Sequence, residues 1–176
     1  ADDAVTTAKV NPAQTDITST GTLTSLNVSG DVSLDGGGFV VAWLDHGSGL
    51  WIKQFDPSGT AGDPLTPHSS SPYFIDTDEA PITLSGLKDG GFVVTWVTDN
   101  SFNGDSGKGI YAQRYDASGN TVGGEFRVNT HTSSDQEASG VVGLESGGYA
   151  IVWESLAQDG ANEGVFGKIY SPSSDA

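Results

Sequence analysis

Three nearly identical segments recur along this chain of 176 residues. Each starts with two glycines and an aromatic residue and ends at a tryptophan, and they are residues 37–43, 90–96 and 147–153. The tryptophans, at positions 43, 96 and 153, are 53 and then 57 residues apart. A repeat of this length predicts supersecondary units that stack on one another, because one such unit cannot bury its apolar face alone.

Further strand-like segments accompany each of these three. A short apolar segment ending in leucine precedes the glycines, and a longer segment with an aromatic residue at two positions four apart follows, at residues 49–56, 109–116 and 164–170. A fourth strand is predicted at residues 125–130 and, more weakly, at 64–66. The chain is therefore predicted to be all-β, with three four-stranded antiparallel sheets stacked like propeller blades. A β-sandwich and a β-solenoid are the alternatives.

Two details of the strands and turns sharpen this prediction. Residues 92–96 are apolar on both faces of a strand, which indicates a central strand covered on both sides. The segments 56–59 and 116–119 run from aspartate to glycine through a serine, and they predict hairpin turns with the glycine at positive φ.

The third unit ends at Tyr170 without a fourth strand, and the N-terminus offers a replacement. Ala8, Lys9, Val10 and Asn11 resemble the fourth-strand sequence at residues 126–129. We expect this segment to complete the third sheet, within its own chain or in the next molecule, because open sheet edges need cover. The predicted organisation is a donor segment at 1–25, a first unit at 26–66, a linker or insertion at 67–81, a second unit at 82–137 and a third at 138–176.

The charge of the chain narrows the range of partners. Its net charge is −16, from 7 basic and 23 acidic residues. Nucleic acid is disfavoured because its binding depends on lysine and arginine contacts to phosphate, and an anionic membrane surface is disfavoured for the same reason. There is no cysteine for disulfides or thiolate metal sites, and no span of about 20 apolar residues for membrane insertion.

Residues 82–136 resemble a repeat of known type. They read Gly-Gly-Phe-Val-Val-Thr-Trp, Gly-Ile-Tyr-Ala-Gln-Arg-Tyr-Asp-Ala-Ser-Gly-Asn and Glu-Phe-Arg-Val-Asn-Thr, with Gln136 downstream. This is similar to the tandem repeat of very large secreted bacterial proteins of the calcium-dependent repeats-in-toxin adhesin type. The resemblance extends over roughly residues 26–170 and implies an extracellular or cell-surface location. The glycine-rich calcium nonapeptide of that family does not occur here, so its calcium roll is not implied.

The loops between the second and third strands of two units carry candidate calcium ligands. Oxygen-bearing side chains around glycine are the ligands that Ca²⁺ prefers. The candidates are Asp99, Asn103 and Asp105 in the second unit, and Asp159, Asn162 and Glu163 in the third. A plain hydrogen-bonded turn is the alternative, because no bidentate glutamate stands at the spacing of a full calcium loop.

Aromatic residues suggest either packing or sugar binding. Trp43, Trp96 and Trp153 occupy one repeat position, which predicts a role in the core or between units. The candidates for an exposed ligand site are Trp51, His46, Tyr73 and Phe102.

The chain is predicted not to be an enzyme. Residues 104–107 match the nucleophile motif of chymotrypsin-like proteases, but no matching histidine and aspartate set is recognisable, and the motif lies in a loop that varies between units. The leading hypothesis is a non-enzymatic extracellular structural or adhesion module that self-associates by strand exchange or stacks in an array. Its partner is then a further copy or an extracellular polysaccharide. The alternatives are a lectin-like carbohydrate-binding module and an accessory domain of a secreted hydrolase.

Overall fold

The computed structural model describes residues 34, 37–45, 49–66, 82–98, 106–160 and 162–172. Within these residues all regular structure is β-strand, which confirms the all-β prediction, and no helix is long and apolar enough to cross a membrane. The strands are β1 (Phe39–Asp45), β2 (Gly49–Phe55), β3 (Thr83–Gly86), β4 (Phe92–Thr98), β5 (Gly109–Tyr115), β6 (Thr121–Arg127), β7 (Gln136–Gly143), β8 (Tyr149–Leu156) and β9 (Glu163–Tyr170).

The strands form three antiparallel sheets, one for each repeat unit. The first sheet contains β1 and β2, the second has the order β3-β4-β5-β6, and the third has the order β7-β8-β9. The prediction of four strands per unit is therefore confirmed only for the second sheet. In the described part of the first unit, Leu65 forms an isolated bridge with Ile52 in place of a strand at 64–66.

The fourth strand of the second sheet lies earlier in the chain than predicted. Pairing between β5 and β6 begins directly after the turn, at Tyr115 and Thr121, and β6 ends at Arg127. The turn between these strands is short, so the chain re-enters the sheet at once. The predicted range 125–130 includes Val128 and Asn129, which contact β5 but lie beyond the end of β6.

The double glycine of the repeat has a separate role for each residue. In the second unit, Gly90 adopts a φ of 84°, which a side chain disfavours, and its N–H donates to Leu87 O at 3.0 Å. A Cβ on Gly91 would collide with the carbonyl oxygen of Tyr115 on the paired strand. The other two units repeat both features, with Gly37 and Gly147 at positive φ, and with Gly38 and Gly148 against the carbonyls of Phe55 and Tyr170.

The predicted aspartate turns are confirmed. Asp116 Oδ1 accepts hydrogen bonds from the N–H groups of Ser118 and Asn120, both at 2.9 Å, and Gly119 has a φ of 82°. These bonds favour the charged carboxylate, so the pKa of Asp116 lies below its usual value, with the Asn120 side chain making the largest contribution. The turn at Asp56 has the same construction.

Each sheet has two chemically distinct faces. We call the side that carries a stacked aromatic pair the aromatic face, and the opposite side the aliphatic face. The stacked pairs are Phe39–Phe55, Phe92–Tyr115 and Tyr149–Tyr170, with ring centroids 4.6, 4.8 and 4.7 Å apart. These pairs are also directly opposite each other in the strand registers, so positions in the three units correspond one to one.

The core consists of two layers between successive sheets. In the first layer, the aliphatic face of the first sheet, including Ile52, packs on the aromatic face of the second, including Trp96. In the second layer, the aliphatic face of the second sheet, including Ile110, packs on the aromatic face of the third, including Trp153. Strand β4 is buried at every residue, which confirms that it is covered on both sides, and the predicted packing role of Trp96 and Trp153 is confirmed.

Candidate functional site

The predicted calcium ligands fall in two different situations. Asp99, Asn103 and Asp105 lie outside the described residues. Asp159 and Asn162, in the turn between β8 and β9, and Glu163, the first residue of β9, are exposed, and the carbonyl of Asn162 accepts a hydrogen bond from Ala157 N at 2.8 Å. Among the described residues, no three histidine, aspartate or glutamate side chains form a group that could hold a metal ion. Calcium binding stays a prediction.

The predicted ligand-binding and assembly residues are mostly beyond the described part of the chain. This applies to the ligand candidates His46, Tyr73 and Phe102 and to the donor residues Ala8, Lys9, Val10 and Asn11. Trp51 is the exception. It lies on the aromatic face of the first sheet, where its ring is 6.5 Å from that of Trp43 with the ring planes 15° apart.

The aromatic face of the first sheet is less covered than its two counterparts. Trp43 and Trp51 are half-buried, whereas Trp96 and Tyr111, at the same positions of the second sheet, are 0% and 2% exposed. Phe39 is 38% exposed, and Phe92 at its position in the second sheet is fully buried. This face is not part of either core layer, as far as the described residues extend.

The aliphatic face of the third sheet is the second uncovered surface. Register places Val152, Val165 and Ile169 on this face, and β7 adds Val142. Their side chains are 48%, 76%, 76% and 55% exposed. Isolated exposed apolar residues are common, but four on one face form a patch, and such patches mark interaction surfaces.

The sequence prediction missed this second surface. The sequence signal is visible in the strand that follows the tryptophan, where Ile169 stands at the position of Gln54 in the first unit and Arg114 in the second. A position that is polar in two units is apolar in the third.

Strand β9 forms the edge of the third sheet as far as the chain is described. In the second sheet, the corresponding edge of β5 is covered by β6 and by the two residues that follow it closely. Val128 N donates to Ile110 O at 2.8 Å, and Ile110 N donates to Asn129 Oδ1 at 2.9 Å. Val165 occupies the position of Ile110, and in the described residues the third sheet ends with β9. Within the described part of the chain, no strand pairs with the outward-facing backbone of β9, and such an edge is a template for another strand.

A groove of about 830 Å³ lies at the end of this edge. Phe126 and Arg127 from the end of β6, and Lys168 and Tyr170 from β9, contribute to its lining. The Phe126 and Tyr170 rings are 5.4 Å apart, and Lys168 Nζ lies 5.4 Å from the centre of the Tyr170 ring. Burial, followed by the neighbouring Tyr149, raises the pKa of the Tyr170 hydroxyl.

Comparison with known proteins identified no similar protein. The chain matches no protein-family model, no curated protein and no solved structure. The resemblance to the secreted adhesin repeat stays a prediction.

Proposed function

We propose that this chain is a non-enzymatic, extracellular structural or adhesion module that self-associates through its unfinished third sheet. The observation that carries the proposal is the β9 edge, which in the described residues lacks the strand that β6 supplies to the second sheet. An exposed strand edge is a template for pairing with another segment, and proteins that keep one usually cover it.

The proposed donor is the N-terminal segment that ends at Asn11. Val10 and Asn11 correspond in sequence to Val128 and Asn129, whose contacts with β5 have been described. We expect Val10 N to donate to Val165 O, and the Asn11 side chain to accept from Val165 N. This is β-strand addition, in which backbone bonds supply the affinity and alternate side chains supply the specificity. Donation to a neighbouring molecule links copies into an array.

The wider setting of the proposal is a set of propeller-blade-like units in a secreted protein. The one-directional stacking of the sheets supports the blade-like description, and the resemblance to adhesin repeats supports the extracellular location. The net charge of −16 favours solubility and disfavours nucleic acid as a partner. Calcium, if it binds through Asp159, Asn162 and Glu163, would order the β8–β9 turn beside the open edge.

Hydrogen exchange on the full chain and on a chain lacking residues 1–12 tests the proposal. The amide protons of β9 should be protected in the full chain and lose protection after the deletion, because their partner strand is gone. The amide protons of β5 serve as the internal control and should not change. Asn11→Ala should reproduce part of the loss, confined to the start of β9.

Light scattering over a range of concentrations completes this test. The full chain should form species heavier than a monomer, and the deletion should lower their mass. A monomeric mass at every concentration, or equal β9 protection in both chains, contradicts the proposal. Repeating the measurement with a chelator shows whether calcium contributes.

A lectin-like function is the second candidate, and one observation favours it. Trp43 and Trp51 form a half-buried stacked pair on the outer face of the first sheet, and flat aromatic rings of this kind pack against the apolar faces of sugars. Tryptophan fluorescence should then change on titration with extracellular polysaccharides, and Trp51→Ala should abolish binding. Val165→Ala, on the far side of the molecule, is the control. A glycan array without binding in the presence of calcium excludes this candidate.

A further inference from the structure

We infer that the aliphatic face of the third sheet binds the aromatic face of the first sheet of a second copy, so that copies stack head to tail. The inference deepens the proposed self-association and rests on it, but the contact is between sheet faces and does not involve the N-terminal segment. The proposed partner is a second copy of this chain, and the two sheet faces are the surfaces that meet.

The direction of stacking within the chain supports this pairing. Both core layers join the aliphatic face of one sheet to the aromatic face of the next sheet along the chain. Three sheets stacked in this way leave one aromatic face at the first sheet and one aliphatic face at the third. Among the described residues, no further sheet covers either of these faces: Phe39 is 38% exposed on one, although Phe55 beside it is buried, and Val165 is 76% exposed on the other. If the packing of an aliphatic face on an aromatic face continues from one molecule to the next, it joins these two faces.

A repeated contact gives the expected register of this interface. Gln54 Nε2 donates to Ala117 O at 3.0 Å across the first layer, and Arg114 Nη1 donates to Pro172 O at 3.4 Å across the second. Gln54 and Arg114 occupy one repeat position, and Ala117 and Pro172 occupy another.

Continuing this pattern brings Ile169 of one copy onto Pro57 of the next. Ile169 stands at the position of Gln54 and Arg114, and Pro57 stands at the position of Ala117 and Pro172. Both residues are exposed. An isoleucine against a proline ring replaces the hydrogen bond of the internal layers, and it leaves no side-chain donor buried without a partner.

A second copy accounts for both surfaces at once. A face-to-face pairing of two third sheets would cover the aliphatic face but leave Phe39 exposed on the first sheet. A head-to-tail contact is heterologous, and repetition of it produces a ring or an open filament.

Charge is expected to oppose this contact at low salt. Each copy carries a net charge of −16, and Lys88 Nζ lies 3.2 Å from Glu145 Oε2 across the second layer. In the sequence, Asp35 of the first unit stands at the same position as Lys88 and Glu145. The contact between copies therefore places two acidic residues at neighbouring positions. Screening shortens the range of such repulsion, so association should strengthen as ionic strength rises.

The small area of the interface determines how it should be detected. Strands of about eight residues extend for roughly 26 Å, and three of them span roughly 14 Å. A face of that size falls below the area of about 800 Å² per partner that is typical of stable complexes. Because the bound state is then short-lived, covalent capture is more suitable than a mass measurement alone.

Site-specific crosslinking tests the inference, and the chain has no native cysteine to interfere. Ile169→Cys is mixed with Pro57→Cys at high ionic strength and treated with a short bis-maleimide. The matched control mixes Ile169→Cys with Ala117→Cys, since Ala117 has the same repeat position and exposure but its carbonyl already binds Gln54. The Pro57 pair should yield at least about tenfold more crosslinked dimer, because a held pair has an effective concentration far above that in solution. Ser58→Cys, in the same turn, replaces Pro57→Cys if that variant does not fold.

Three results would overturn the inference. Equal yields from the two mixtures would show that the captured collisions are random. A dominant product from Ile169→Cys alone would show that third sheets pair face to face. Loss of the crosslink after deletion of residues 1–12 would show that the donated strand, and not the sheet faces, holds the copies together. A crosslink that persists in the deleted chain supports face stacking, even where the hydrogen-exchange test has failed.

Discussion

The second and third sheets have similar strands but differ in what covers their aliphatic faces. Their stacked pairs, Phe92–Tyr115 and Tyr149–Tyr170, have nearly the same ring separation, and their strands pair in the same register. The second sheet is covered on both faces, so Ile110 is fully buried on its aliphatic face. Val165, at the same position of the third sheet, is 76% exposed. The repeat sequence specifies the sheet, whereas the presence of a next sheet decides whether a residue is buried.

The exposed aliphatic face of the third sheet is also more apolar, at two positions, than the buried aliphatic face of the second sheet. Val152 replaces Thr95, and Ile169 replaces Arg114, while Glu154 in place of Val97 is a change in the opposite direction. Solvent exposure alone would favour polar residues at all three positions, since apolar residues gain free energy only when they leave water. These two substitutions are consistent with the proposal that another copy covers this face.

The largest expected effect comes from truncating equivalent tryptophans on two aromatic faces. Trp96→Ala should lower the free energy of unfolding by about 3–5 kcal/mol, because it removes a fully buried ring and leaves a cavity. Trp43→Ala should cost clearly less, because its ring is half-buried at the uncovered end. Urea unfolding of both variants at low protein concentration measures the difference. Equal losses would mean that the first sheet is covered in the monomer.

A smaller contrast separates the two aliphatic faces. Ile110→Ala should cost about 2–5 kcal/mol, as expected for a buried large-to-small change. Val165→Ala should stay within about 0.5 kcal/mol, as expected for a surface substitution. The same unfolding measurement applies. If Val165→Ala becomes destabilising only at high protein concentration, the difference reports burial of this face between copies.

Local chemistry explains which parts of the fold the sequence could predict. The aspartate turns depend on neighbouring residues in the chain, and their prediction was confirmed. The burial of β4 was predictable because apolar residues on both faces of one strand require two neighbours. The predicted fourth strand extended too far toward the C-terminus, because at Asn129 the side chain, and not the backbone of a strand, accepts the bond from Ile110 N.

The candidate surfaces were less predictable, for a different physical reason. Val165 and Ile110 are similar residues in similar strands, and nothing local distinguishes the exposed one from the buried one. The distinction depends on how many sheets follow, which is a property of the whole stack. The change from Gln54 and Arg114 to Ile169 was the signal available in advance.

The smallest expected effect concerns the aspartate turn, which the first and second sheets share. Because hydrogen bonds lower the folded-state pKa of Asp116 below 3.8, its stabilising effect is fully present above that value and is lost as the pH falls through the lowered pKa. The difference in unfolding free energy between the native chain and Asp116→Ala should therefore be constant from pH 7 to about pH 5 and shrink in more acidic solution. Asp116→Asn keeps an acceptor without the titration, so its stability should depend less on pH. Asp56→Ala should show the same direction of change, because Asp56 accepts the same backbone bonds and its pKa is also lowered, although its side-chain partner is Ser58 where Asp116 has Asn120. A difference that grows as the pH falls would contradict this account, and unequal behaviour of the two aspartates would show that the turns of the first and second sheets are not equivalent.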